Sequence, residues 1–173
     1  WMFLAVDFAW SQAAALVAAP LVFIIGVACT IIYDLRLRKD VMEVVLDDIK
    51  VLYVESAKGP EGSPEVYTKL KSRLPSSRGR ELYGIFQHPD GPYRAFVSII
   101  DTDDLKTLGL ESWIIPHGKY ARRKLKNWTK RTWEIPETFA TVSKEYKDKV
   151  DSSRPRIEFY KSEKELLLFL PIK

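Results

Sequence analysis

The chain is 173 residues long, 46% hydrophobic and 29% charged, and its 27 lysines and arginines outnumber 23 aspartates and glutamates for a net charge of +4. That length holds one domain of ordinary size plus an appendage. The single cysteine, Cys29, excludes an internal disulfide framework or a cysteine-based zinc cluster. So small a positive excess, with no nucleic-acid-binding motif, argues against DNA or RNA as a partner.

The chain starts at Trp1 and is read as a piece of a longer protein. Residues 1–40 read as a membrane anchor with a juxtamembrane segment. The run AAALVAAPLVFIIGVACTIIY, residues 13–33, carries no charge, and as a transmembrane helix it would cover about 31 Å, the thickness of a bilayer core. Trp10 and Tyr33 stand where interfacial aromatics are expected, and Pro20 is tolerable as a kink. A cleaved signal peptide needs basic residues ahead of its apolar core, whereas only Asp7 is charged here. Arg36, Arg38 and Lys39 follow the run, so the positive-inside bias puts the N-terminus on the lumenal or extracellular side and the C-terminal domain in the cytosol. Against this, Asn127-Trp128-Thr129 is a glycosylation sequon, usable only in a lumen. The expected partners are the lipid bilayer and, through the small residues 13–19 and Gly26, other membrane proteins.

Residues 41–173 read as a second unit. VVLDDIKVLYV (44–54) is a strand with an irregularity at Asp47-Asp48. GPEGSP breaks it and starts a helix, from Pro64 to about Leu74, with Ser63 as the expected N-cap. ELYGIFQ and PYRAFVSII follow as a hairpin across HPDG. An acidic, polar linker spans 101–107. The same order then returns: an interrupted strand over 112–128, a helix from Glu134 to about Val150, and a hairpin of RIEFYK and ELLLFLPI. The expected fold is α+β, a duplicated βαββ domain with an antiparallel sheet, repeat one at about 44–100 and repeat two at about 111–173.

ELYGIFQHPDGPYRAFVSI, IPHGKYA (115–121) and IEFY with LFLPIK at the end resemble the GyrI-like family, the effector-binding fold of AraC-type and MerR-type regulators. With its N-terminal apolar run and the "RPRIEFY" ending, the chain looks similar to the testis-expressed ER-phagy receptor group, which carries such a domain on an endoplasmic reticulum anchor. That resemblance implies an ER setting and a membrane-anchored cytosolic interaction module. It also implies ubiquitin-like autophagy modifiers as partners, provided an acidic tail with the binding motif follows Lys173. A structural accessory subunit of a membrane complex, and a small-molecule sensor or hydrolase, stand beside this reading.

In soluble GyrI-like relatives a glutamate in an aromatic cleft accepts cationic ligands, and by position Glu158 would correspond, with Tyr160, Trp113, Tyr83 and Tyr53 as lining groups. Aromatic faces and a partly desolvated carboxylate both attract organic cations. The bland counterpart has Glu158 paired with a lysine or arginine across the sheet and the aromatics filling a core. The basic stretch Lys119, Arg122, Arg123, Lys124, Lys126, Lys130 and Arg131 offers a surface for anionic headgroups, or simply a charged strand edge that deters aggregation. No catalytic residue, metal site or cofactor is expected. His88 and His117 have no partners spaced for a triad or a metal, and His117 is the one nameable haem ligand.

Overall fold

The computed structural model describes residues 41–86 and 91–173. The expected transmembrane helix over 13–33, with its flanking aromatics and basic residues, lies outside them, as does His88 in the HPDG turn. No helix among the described residues is long and apolar enough to cross a membrane.

Each half opens with a long strand that a pair of unsuitable residues cuts in two. In the first half, β1 (Val41–Leu46) and β2 (Ile49–Ser56) flank Asp47-Asp48. In the second, β5 (Glu111–Ile115) and β6 (Gly118–Lys126) flank Pro116-His117, where proline removes a ladder donor. The two breaks are tied together: His117 N–H donates to Asp48 Oδ1 at 2.7 Å. The hairpins are β3 (Leu82–Phe86) with β4 (Tyr93–Ser98), and β7 (Arg156–Ser162) with β8 (Glu165–Pro171).

All eight strands join one antiparallel sheet in the order β1-β6-β8-β7-β3-β4-β2-β5. The order is symmetric about the β7·β3 pair, and the broken strands exchange partners. β1 of the first half pairs with β6 of the second, and β5 of the second with β2 of the first. The expected βαββ units are therefore ββαββ units that swap their leading strands.

The helices cover one face. In α1 (Ser63–Arg73) Val66 and Leu70 pack on Leu52, Ala95 and Val97. Its N-cap is Gly62, with no side-chain cap bond, and Ser63, the expected cap, is already helical. A four-residue helix, α2 (Leu105–Leu108), forms at the end of the expected linker. Asp104 caps it, accepting from Lys106 N–H at 3.1 Å. Beside it, Arg80 donates to Asp103 at 2.7 Å, and both side chains are 2% exposed. In α3 (Glu134–Glu145) Phe139 packs on Leu125, Leu166 and Leu168, while Val142 meets Ala121, Leu170 and Ile172. It stops five residues before the expected end, and Val150 bridges to Ile172 instead. The opposite face of the sheet is a separate core built on Val51, Tyr83, Phe96, Ile157 and Phe169.

Candidate functional site

Strand alternation sends Ile157 and Phe159 of β7 to one face and Glu158 and Tyr160 to the other. Ile157 belongs to the core on the helix-free face, where Phe159 stacks on Tyr83 with ring centroids 4.8 Å apart. Glu158 and Tyr160 therefore lie on the helix side. Neighbouring β3 presents Gly84 in register with Glu158, and the missing side chain makes room for the site. A Cβ on Gly84 would sit 2.3 Å from Tyr93 Oη, 2.8 Å from Glu158 Oε2 and 3.1 Å from Tyr67 Oη.

Three side-chain oxygens thus converge over one glycine, and the Tyr160 hydroxyl joins them through Glu158 and Tyr93. Tyr93, from β4, donates to Glu158 Oε2 at 3.2 Å, and Tyr160 donates to the same oxygen. The hydroxyls of Tyr93 and Tyr160 are 3.0 Å apart. Tyr67, from α1, donates to the Tyr83 carbonyl at 2.7 Å and lies 3.4 Å from Tyr93 Oη. Its ring meets that of Tyr160 edge-on at 5.5 Å, and Trp128 covers Tyr160 at 4.9 Å.

Glu158 and Tyr160 line a cavity of about 490 Å³ that runs from Pro60 and Ser63, at the start of α1, to Ile135, Pro136 and Phe139 of α3, with Phe86, Tyr93, Trp128 and Arg156 on its walls. Burial pushes the Glu158 carboxyl above its ordinary value, and the hydroxyls of Tyr160 and Tyr93 oppose the rise by bonding to the charged form. Burial also raises Tyr67, Tyr93 and Tyr160, so all three remain protonated donors at neutral pH. Among the described residues no lysine or arginine forms an ion pair with Glu158. Arg156, two residues away, lies over the Phe139 ring at 5.6 Å and reaches Ser143 at 3.5 Å. An isolated carboxylate in an aromatic enclosure suits an organic cation.

Three of the residues grouped with Glu158 from the sequence lie elsewhere. Tyr83 and Phe159 are paired in register, so Tyr83 faces away from the cavity, and its hydroxyl donates to Glu81 at 2.6 Å. Tyr53 and Trp113 each pack on Phe96 at 5.4 Å on that same face, and Tyr53 donates to Glu111. Strand parity is the reason: a one-residue offset reverses the face. Tyr93, Tyr67, Trp128 and Gly84 take their places. Of these, Gly84 carried a signal, since a glycine inside a strand marks a close approach.

The basic stretch does not form one surface. Along β6 its side chains alternate, so Arg123, 7% exposed, shares the helix face with Ala121 and Leu125, while Arg122, Lys124 and Lys126 point the other way. Lys124 pairs with Glu165 at 3.1 Å and Arg131 with Glu134 at 2.5 Å. His117 is exposed in the break between β5 and β6 and is not among the residues that line the apolar cavity on the helix-free face. Among the described residues no group of acidic, histidine or cysteine side chains is arranged to hold a metal.

No protein-family model matches the chain, and no curated protein does. Solved structures do. An integron cassette protein of Vibrio cholerae is 12% identical over 78% of this chain and 96% of its own, with a TM-score of 0.56. SAV2435, solved bound to tetraphenylphosphonium, is 14% identical over 77% of this chain and 93% of its own, with a TM-score of 0.55. A hydrolase from Listeria innocua is 11% identical over 78% and 92%, with a TM-score of 0.51. At these identities the likeness is one of fold. The antiparallel α+β architecture fits the GyrI-like fold expected from the sequence.

Proposed function

We propose that residues 41–173 are a small-molecule-binding module whose cavity takes a lipophilic organic cation at Glu158. The observation that carries this reading is a carboxylate, without an ion-pair partner among the described residues, at the wall of a cavity of about 490 Å³ lined by aromatic rings. Ligand cavities commonly measure ~300–1,000 Å³. Tyr93 and Tyr160 hold one oxygen of Glu158 in place. Ring faces around it receive the ligand's hydrocarbon and share its charge. SAV2435, with tetraphenylphosphonium bound on the same fold, supports this class of ligand. Binding is the favoured role for Glu158, ahead of hydrolysis, because both neighbouring phenols donate to the carboxylate and leave it held rather than poised to attack.

Titration with tetraphenylphosphonium tests the proposal. Glu158→Gln keeps the shape and removes the charge, so affinity is expected to fall by tenfold or more while the melting curve stays cooperative. Equal affinity in the two proteins overturns the cation reading.

We also infer that the module works on a membrane. The uncharged run over 13–33 and the basic residues after it support an anchor with a cytosolic domain, and the "RPRIEFY" resemblance supports an ER-phagy receptor over an accessory subunit. Co-precipitation of the full-length protein with ubiquitin-like autophagy modifiers tests the receptor. Stable co-purification with a membrane complex in place of those modifiers favours the subunit.

A further inference from the structure

The loop after β6 forms one wall of the cavity and also carries an exposed surface of its own. Asn127 turns the chain in the left-handed region at φ 53°. Its N–H donates to the Lys164 carbonyl at 2.7 Å, and the Trp128 indole donates to the Ser162 carbonyl at 2.8 Å. The loop is thereby pinned to the β7–β8 hairpin. Inward, Trp128, Thr132, Ile135 and Pro136 line the cavity. Outward, Lys130 and Arg131 are exposed, and Trp133 stands 63% exposed at the N-cap of α3.

An exposed indole two and three residues from Arg131 and Lys130 suits a lipid surface. The ring lodges among headgroups, and the long basic side chains reach the phosphates and carboxylates around it. Lys130 has no ion-pair partner among the described residues, and Arg131 has only Glu134. The same chain carries the uncharged run over 13–33, long enough to cross a bilayer. A tether of that kind turns a weak surface contact into an intramolecular one at high effective concentration.

We propose that residues 128–133 dock on an anionic bilayer surface, with Trp133 inserted at the headgroup level and Lys130 and Arg131 beside it. Docking brings the wall of the Glu158 cavity to the interface, where lipophilic cations accumulate, and so sets their route of entry. The docking rests on the loop and on the apolar run over 13–33 as its tether. Only the route of entry rests on the cation-binding reading.

The test uses the full 173-residue chain with Cys29→Ser and a single environment-sensitive fluorophore at Thr129→Cys, reconstituted into vesicles of phosphatidylcholine with or without phosphatidylserine. Quenching by brominated lipids reports the docked fraction. Phosphatidylserine should raise the quenching several-fold. Lys130→Gln and Arg131→Gln should each lower the docking equilibrium about fivefold, and Trp133→Ser should lower it further. A second label at Ile114→Cys, also an exposed apolar site but on edge strand β5, should stay unquenched in both lipids. Equal quenching with and without phosphatidylserine, insensitivity to the Lys130 and Arg131 variants, or quenching at 114 as strong as at 129 would each overturn the docking. Docking that persists in Glu158→Gln alongside lost tetraphenylphosphonium binding separates this surface from the cavity.

Discussion

Tyrosine meets glutamate on both faces of this sheet, and the two meetings differ in what encloses them. On the helix-free face Tyr83 donates to Glu81 and Tyr53 to Glu111, and both glutamates are exposed. On the helix face Tyr93 and Tyr160 donate to Glu158 inside a cavity walled by α1 and α3. The residue types are the same. Enclosure is the difference: it pushes Glu158 toward its neutral form and strengthens the attraction of any cation that enters.

Substitutions on either face test this contrast, and the largest effect is expected on the face opposite Glu158. Phe96 is fully buried between Tyr53 and Trp113, so Phe96→Ala should cost about 3–5 kcal/mol in denaturant unfolding. Protein that remains folded should bind tetraphenylphosphonium as before; selective loss of binding would show that the faces are not independent. Gly84→Ala comes next, at about 1–3 kcal/mol, because the new methyl overlaps Tyr93 Oη and Glu158 Oε2. Unlike Phe96→Ala it should abolish cation binding, and retained affinity would mean that the convergence over Gly84 is not the site.

The third prediction concerns pH. Because burial raises the Glu158 carboxyl above its unfolded value, the unfolded chain ionises first as pH rises, and stability falls from the ordinary carboxyl range up through the raised value. Glu158→Gln should therefore be more stable than wild type at neutral pH, with the gain vanishing in acid below about pH 4. Cation affinity should climb over the same interval in wild type and stay flat in the variant. Paired thermal melts and titrations across that range check both, and a pH-independent difference in stability would remove burial as the cause. The smallest effects are expected from single hydroxyls. Tyr83→Phe and Tyr93→Phe should each cost about 0.5–1.5 kcal/mol, yet only Tyr93→Phe should weaken tetraphenylphosphonium binding in calorimetry.

The sequence shows Glu158 beside Tyr160 on one face of β7, because a period of two is a local property. It also shows both strand breaks, since Asp47-Asp48 and Pro116-His117 interrupt runs of β-formers. Which face the helices cover was not legible, because Ile157 and Phe159 are as suited to one core as to the other. Nor was the exchange of β1 and β5, which depends on pairing between segments far apart in the chain. Tyr83 was misplaced for a related reason. It precedes Gly84 in the quoted ELYGIF, and one residue separates the cavity from the opposite core. The basic stretch reads as a single signal along the chain, whereas the extended backbone of β6 deals it to two faces.

The symmetric strand order has a chemical consequence at its centre. The axis relating the halves passes through the β3·β7 pair, where Glu158 lies opposite Gly84, and these two residues are each other's counterparts. Two identical subunits related by that axis would have to place the same residue at both positions, either two acids pressed together or two voids. Joining the halves in one chain frees the positions to differ. One copy can keep the acid while the other supplies the empty space it needs, a division of labour closed to a homodimer.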